Sequence, residues 1–193
     1  MVDTSGHHII YGTLQDFLTG AELPDTDDER YRQQLARFLV QEKGFGADEL
    51  LPRLSIETVF NGQFVKSVIE LTICIADRRV MIIRYGPGSL VTRERPAIAA
   101  ARILNPDYRI PLAVVTNFRD AELLETRSGR VLNTGMNNIP DRKKLVEMMG
   151  GLEFESFSDE KRREREARIL NAFDVEVCCR NGTCELPPDD GRG

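Results

Sequence analysis

At 193 residues, 41% hydrophobic and 30% charged, the chain has the make-up of one soluble domain with extensions, long enough to bury a substantial core. No apolar run approaches the roughly 20 residues that span a bilayer, and the amino end MVDTSGHHIIYG lacks the basic-then-apolar order of a secretory leader. Four cysteines are too few for a disulfide scaffold, so the expected compartment is the cytoplasm, with no membrane partner.

A net charge of −5 excludes a protein that coats nucleic acid indiscriminately, but the average hides an asymmetry. Residues 78–119 hold eight arginines (78, 79, 84, 93, 95, 102, 109 and 119) against two acids, Glu94 and Asp107, a local +6 that leaves −11 elsewhere. Such a window suits a phosphate contact. It equally suits solvated arginines paired with acids from other segments.

In chain order, residues 1–24 read as a loosely ordered lead-in, with His7-His8-Ile9-Ile10-Tyr11 able to dock as a short strand. The pattern Thr26-Asp27-Asp28-Glu29 predicts a helix start with a capping box, its two aspartates favouring the positive end of the dipole. Tyr31, Leu35, Phe38 and Leu39 then form one apolar stripe, and Lys43-Gly44 closes the helix. One helical turn over 47–51, a strand over 54–60 and a tight turn at Asn61-Gly62 follow.

The chain is organised around residues 65–87, VKSVIELTICIADRRVMIIRYGP. Its two apolar runs, 68–75 and 80–85, predict paired strands. The first alternates with period two, while the second is apolar enough to be covered on both faces. A two-residue turn at Asp77-Arg78 sets Glu70 against Tyr85, Thr72 against Ile83 and Cys74 against Met81. Glu70, Ile83 and Tyr85 then share one sheet face, while Ile82 and Arg84 point to the other.

Residues 93–104 predict a helix beginning near Glu94 or Arg95, because Pro96 belongs in a first turn. Strands are expected over 111–116, 121–126 and 130–132, and a short helix over 141–149. The order α-β-β-β-α-β-β-α describes an α/β (α+β) mixed sheet with helices on both sides. Residues 158–173 predict a helix with a solvated charged first half and a docking second half, the charge run being an exposed face or a binding arm. A cysteine-bearing hairpin and a disordered tail end the chain, giving segments 1–24, 25–150 and 151–193.

The element order, with the phrases FLVQEKGFGADELL, MIIRYGPG and PLAVVTNFRDAELLET, resembles the restriction-endonuclease-like PD-(D/E)XK fold. More narrowly it is similar to the amino-terminal nuclease domain family of type I restriction enzyme R proteins, across residues 27–149. The resemblance implies an αβββαβ core, an acid from the first central strand, and Glu-x-Lys from the next, before a small residue and Pro. The two carboxylates of that scheme hold a divalent ion and the lysine stabilises developing charge.

Carried over, the acid falls on Glu70, the small-Pro pair on Gly86-Pro87, the Glu position on Ile83 and the Lys position on Tyr85. A match shifted by one gives Ile82 and Arg84 instead. Neither restores two carboxylates, so the resemblance implies a nuclease fold without its reaction and without a cofactor. The expected role is a regulatory or nucleic-acid-associated module that binds DNA or RNA through Arg84, Arg93 and Arg95, or a protein partner. One alternative is a divergent Mg²⁺-dependent endonuclease or exonuclease that joins Glu70 to Glu57 or a carboxylate of the first helix; another is a scaffold that homodimerises. For Glu70 itself the plainer reading is a strand acid satisfied by a nearby arginine or by water, and for Tyr85, as for Phe60, a place in the core.

Cys178, Cys179 and Cys184 surround Asn181-Gly182, and a Zn²⁺ or iron–sulfur site there needs a fourth ligand from His7, His8 or a buried Cys74. The plainer reading is a hairpin without a metal.

Overall fold

The computed structural model describes residues 10–60 and 63–179. A hairpin of β1 (Thr13–Gln15) and β2 (Glu22–Pro24) precedes α1 (Asp27–Gln41), and the chain continues through β3 (Leu50–Phe60), β4 (Gln63–Ile75) and β5 (Arg78–Tyr85). After α2 (Val91–Ile103) come β6 (Leu112–Thr116), β7 (Ala121–Glu125), β8 (Val131–Thr134), α3 (Arg142–Met149) and α4 (Glu160–Cys179). The six strands from β3 to β8 form one sheet in sequence order. Only β5 and β6 run parallel, joined by the crossover helix α2. This is the expected mixed sheet with its αβββαβ order.

The sheet separates two cores. Leu35 and Leu39 of α1 and Leu145 of α3 pack with Leu71, Ile73, Met81, Ile83 and Val114 on one side. Ala97 and Ala101 of α2 and Leu170 of α4 pack with Ile69, Ile82, Ala113 and Val115 on the other. Small α2 residues let the helix lie close on the sheet, where Ile82, Ile83, Val114 and Val115 are fully buried.

The register of the central pair differs from the expected one by a residue. Ala76 and Asp77 both take positive φ, 48° and 60°, the signature of a type I′ turn, so Ile75 faces Arg78. Positive φ at two non-glycine residues is uncommon, and nothing in the residue types of Ala76-Asp77-Arg78 chooses this pair over Asp77-Arg78. Val80 is then the extra residue of a bulge: Cys74 faces Arg79, Ile73 faces Met81, Thr72 faces Ile82 and Leu71 faces Ile83. Continuing by one residue sets Glu70 across from Arg84 and not Tyr85.

A second irregularity lies in β3–β4. Pro52 pairs with Leu71 and Leu54 with Ile69, yet Leu71 belongs to the α1 core and Ile69 and Leu54 to the α2 core. Residues two apart in a regular strand share a face. The pair therefore turns over between them, at Arg53 (φ 58°) and Glu70.

Several local expectations are corrected. The described end of the lead-in forms the hairpin β1–β2 and carries a buried Asp16. Thr26 caps α1 through the Glu29 N–H, but the Glu29 carboxylate turns away to Arg32, Gln33 and Arg53. The turn after α1 is a 3₁₀ turn, Ala47–Glu49, and strand pairing begins already at Leu50. Helix α2 starts at Val91, which puts Pro96 in its second turn, where it forgoes one helical hydrogen bond. Helix α4 runs through Cys178 and Cys179, which are therefore helical and not in a hairpin. Cys74 is only partly buried. His7, His8, the Asn61-Gly62 turn and Cys184 lie outside the described residues, as do the side chains of Phe60, Cys178 and Cys179.

Candidate functional site

The parallel strands β5 and β6 end side by side, and the carboxyl ends of neighbouring parallel strands are where open α/β sheets place ligands. The Gly86 N–H donates to the Thr116 carbonyl at 3.1 Å. Asn117 Nδ2 donates to the Gly88 carbonyl at 2.8 Å. These bonds fix the loops after both strands. A Cβ on Gly86 would lie 1.8 Å from Arg93 Nη1, so only glycine lets this guanidinium lie across the loop, where its Nη2 donates to the Pro87 carbonyl at 2.6 Å.

Glu70 points into this region from β4. Its Oε2 accepts the Tyr85 N–H at 3.1 Å, so the carboxylate completes the end of β5 as a backbone carbonyl would. Burial raises its carboxyl above the usual range, offset in part by Arg84, by Arg32 of α1 and by backbone N–H groups. Arg93 is lowered, first by burial and then by Arg84, while Glu70, Tyr85 and Asp174 act in the other direction. Arg84 and Arg32 thus act on the Glu70 charge and Glu70 on that of Arg93, although Arg32 is itself paired with Glu29 and Arg84 with Asp174. Each guanidinium has a buried nitrogen without a hydrogen-bond partner among the described residues: Arg32 Nε, Arg84 Nη1 and Arg93 Nε.

Helix α4 supplies the cover. Asp174 approaches Arg84 Nη2 at 3.2 Å and 3.5 Å through its two oxygens, and the Phe173 ring lies 5.5 Å from the Arg93 guanidinium carbon. On the α1 side Tyr31 and Tyr85 stack with ring centroids 4.3 Å apart, and Phe118 completes an aromatic trio. Tyr85 is raised well above its ordinary value by burial and by Tyr31, and it is a packed residue of the α1 side.

The donor set does not suit the divalent ion that the resemblance implies. Ile82 and Ile83 are fully buried on opposite faces and offer no oxygen. One Glu70 oxygen serves a backbone N–H, and Asp174 serves Arg84. Mg²⁺ asks for near-octahedral oxygen ligation, and the neighbouring acids are already committed to arginines or to a backbone N–H. No group of three or more His, Cys, Asp or Glu suited to a metal occurs among the described residues. Glu57 pairs instead with Lys66 at 3.2 Å, both side chains half-exposed, and Glu29 is engaged by Arg32 and Arg53.

Of the three arginines expected to bind nucleic acid, Arg84 and Arg93 belong to this cluster. Arg95 does not: it pairs with Glu166 of α4 at 2.6 Å. Most of the basic window is likewise engaged within the fold. Arg102 pairs with Glu166 and Arg109 with Glu155, Arg79 donates to the Leu104 carbonyl, and Arg78 lies over Phe154. Sequence reasoning missed Arg32, Phe173 and Asp174. Arg32 gave no signal, but Glu166, Leu170 and Asp174 stand at i, i+4 and i+8, two acids on an apolar stripe.

Residues 27–140 match the family described as type I restriction enzyme R protein N terminus, a span from the start of α1 to just before α3. No curated protein and no solved structure gives a significant match. Among the described residues no helix is long and apolar enough to cross a membrane.

Proposed function

We propose a non-cutting, DNA-binding role for this chain, which belongs to the type I restriction enzyme R protein N-terminal family. The observation that carries the reading is the pair Arg84 and Arg93 beside the end of β5, each with a buried nitrogen that has no partner among the described residues. A phosphate brings several acceptor oxygens, and guanidinium groups bind it through charge-assisted hydrogen bonds. The same cluster opposes the two-carboxylate metal chemistry of a nuclease, since Glu70 is committed to the Tyr85 N–H and neither Ile82 nor Ile83 can replace the second acid. Arg84, beside Ile82 in the motif match shifted by one, keeps a positive charge where a lysine belongs in that scheme.

Two measurements test the reading. Plasmid DNA incubated with Mg²⁺ or Mn²⁺ should remain intact; cutting that disappears in Glu70→Ala would show that the protein is an enzyme after all. Binding of a short DNA duplex should weaken as salt rises, and Arg93→Gln should weaken it further while lowering the log–log salt slope by about 1, the loss of one phosphate contact. Binding indifferent to salt and to Arg93→Gln overturns the DNA assignment.

A further inference from the structure

The arginine cluster is not open. We propose that α4 is an internal occupant of it, with the Asp174 carboxylate standing on Arg84 where a DNA phosphate would stand and Phe173 lying against Arg93. The inference rests on the DNA-binding reading and adds its regulation: the chain carries its own competitor for the phosphate.

Three observations support this. First, Asp174 is 7% exposed, although an aspartate in a helix facing water has no need of burial. Its two oxygens both address Arg84 Nη2, and Nη1 of the same guanidinium is buried with no partner among the described residues. A carboxylate therefore fills the position incompletely. A phosphate, with more acceptor oxygens, can serve both nitrogens.

Second, α4 lies beyond the matched span of 27–140, so the occupant comes from a segment outside the portion that defines the family. Third, the helix is held elsewhere. Glu166 takes Arg95 and Arg102, Leu170 is fully buried, and Asn171 accepts from Thr58 Oγ1 at 2.7 Å. The helix end from Phe173 to Cys179 can leave while these anchors keep the preceding part of α4 in place. Opening about two terminal helical turns is a small local event compared with unfolding the domain.

The test uses the full chain and a fluorescent DNA duplex. Asp174→Asn keeps an oxygen for Arg84 but removes the competing charge. It should bind DNA roughly tenfold more tightly than wild type, the worth of one charge-assisted hydrogen bond. The gain should vanish when Arg84→Gln is added. If Asp174→Asn binds no more tightly while wild type still binds in an Arg93-dependent manner, the occupancy proposal falls and the DNA reading survives. If neither protein binds DNA, both fall. Hydrogen exchange on wild type provides a measurement free of substitutions. Saturating DNA should speed exchange of amides near Phe173 and Asp174 and leave those from Glu166 to Asn171 protected; slowed or unchanged exchange near Asp174 overturns the proposal.

Discussion

Glu70 and Tyr85 are joined by a side chain acting as a strand: the Glu70 carboxylate accepts the Tyr85 N–H at 3.1 Å. Replacing the acid by alanine strands that donor, and Glu70→Ala should cost about 1–3 kcal/mol in urea denaturation, the usual cost of a buried polar group losing its partner. Glu70→Gln keeps an acceptor and should be much less affected. A similar loss in both variants would show that the charge matters more than the hydrogen bond.

The same residue predicts a pH dependence. Burial raises the Glu70 carboxyl above its ordinary 4.5, so the folded state holds this proton more tightly than the unfolded chain does. The stabilising contribution is complete below pH 4.5 and disappears as pH climbs through the raised folded value. Melting temperature of wild type relative to Glu70→Gln should therefore fall as pH rises from about 4 towards 7. A difference that grows in the other direction would mean that Arg84 and Arg32 outweigh burial.

Restoring the missing acid should unfold the protein before it restores chemistry. Ile82 and Ile83 are fully buried in the α2-side and α1-side cores, respectively. Ile82→Glu and Ile83→Glu should each cost about 3 kcal/mol or more by burying a carboxylate against apolar groups. Urea melts of the two variants check this. A stable variant of either kind would reveal polar space beside that strand.

Gly86 predicts a separation of binding from stability. An added methyl group meets the movable end of Arg93, so Gly86→Ala should displace the guanidinium from the Pro87 carbonyl at a cost of about 1 kcal/mol or less. DNA affinity should fall nearly as far as in Arg93→Gln. Unchanged affinity would remove Arg93 from the binding set.

Asp16 predicts acid sensitivity. Burial alone would raise its carboxyl, but the Arg53 guanidinium and the Leu18 and Thr19 amides carry it below its ordinary value. A lowered folded value gives stability that is present above pH 3.8 and lost as pH falls through the folded one. Asp16→Asn should cost about 1–2 kcal/mol at neutral pH, the loss of one charge-assisted hydrogen bond to a partly exposed Arg53, with the gap to wild type closing in acid. An equal gap at pH 3 and pH 7 would contradict this.

Much of the fold was legible because its signals are local. The Thr26 cap, the Leu35–Leu39 stripe, the apolar runs of β5 to β8 and the breakers Gly44, Gly86 and Gly150 mark their elements within a residue or two, whereas β3, β4 and α2 begin three to five residues earlier than expected and α4 runs six further. The register was not legible. Ala76-Asp77 adopts a turn that usually calls for glycine or asparagine, and Val80 bulges without any residue type to announce it. That single-residue error moved Glu70 from Tyr85 to Arg84 as its neighbour across the pair. The site was legible only in part, since Glu70, Arg84 and Arg93 come from the central segment while Arg32 and Asp174 arrive through packing of distant helices. The β1–β2 hairpin was missed because its strands are three residues long and are secured by Asp16 reaching Arg53.

Arg84 and Asp174 are ninety positions apart, and this spacing sets a clock during synthesis. At about 5–20 residues per second, roughly 5–18 s pass between their emergence from the ribosome. In that interval the sheet can close while its guanidiniums have no carboxylate from the last helix to meet. Nascent chains stalled before residue 160 should therefore cling to polyanions, and release them once translation supplies the remainder.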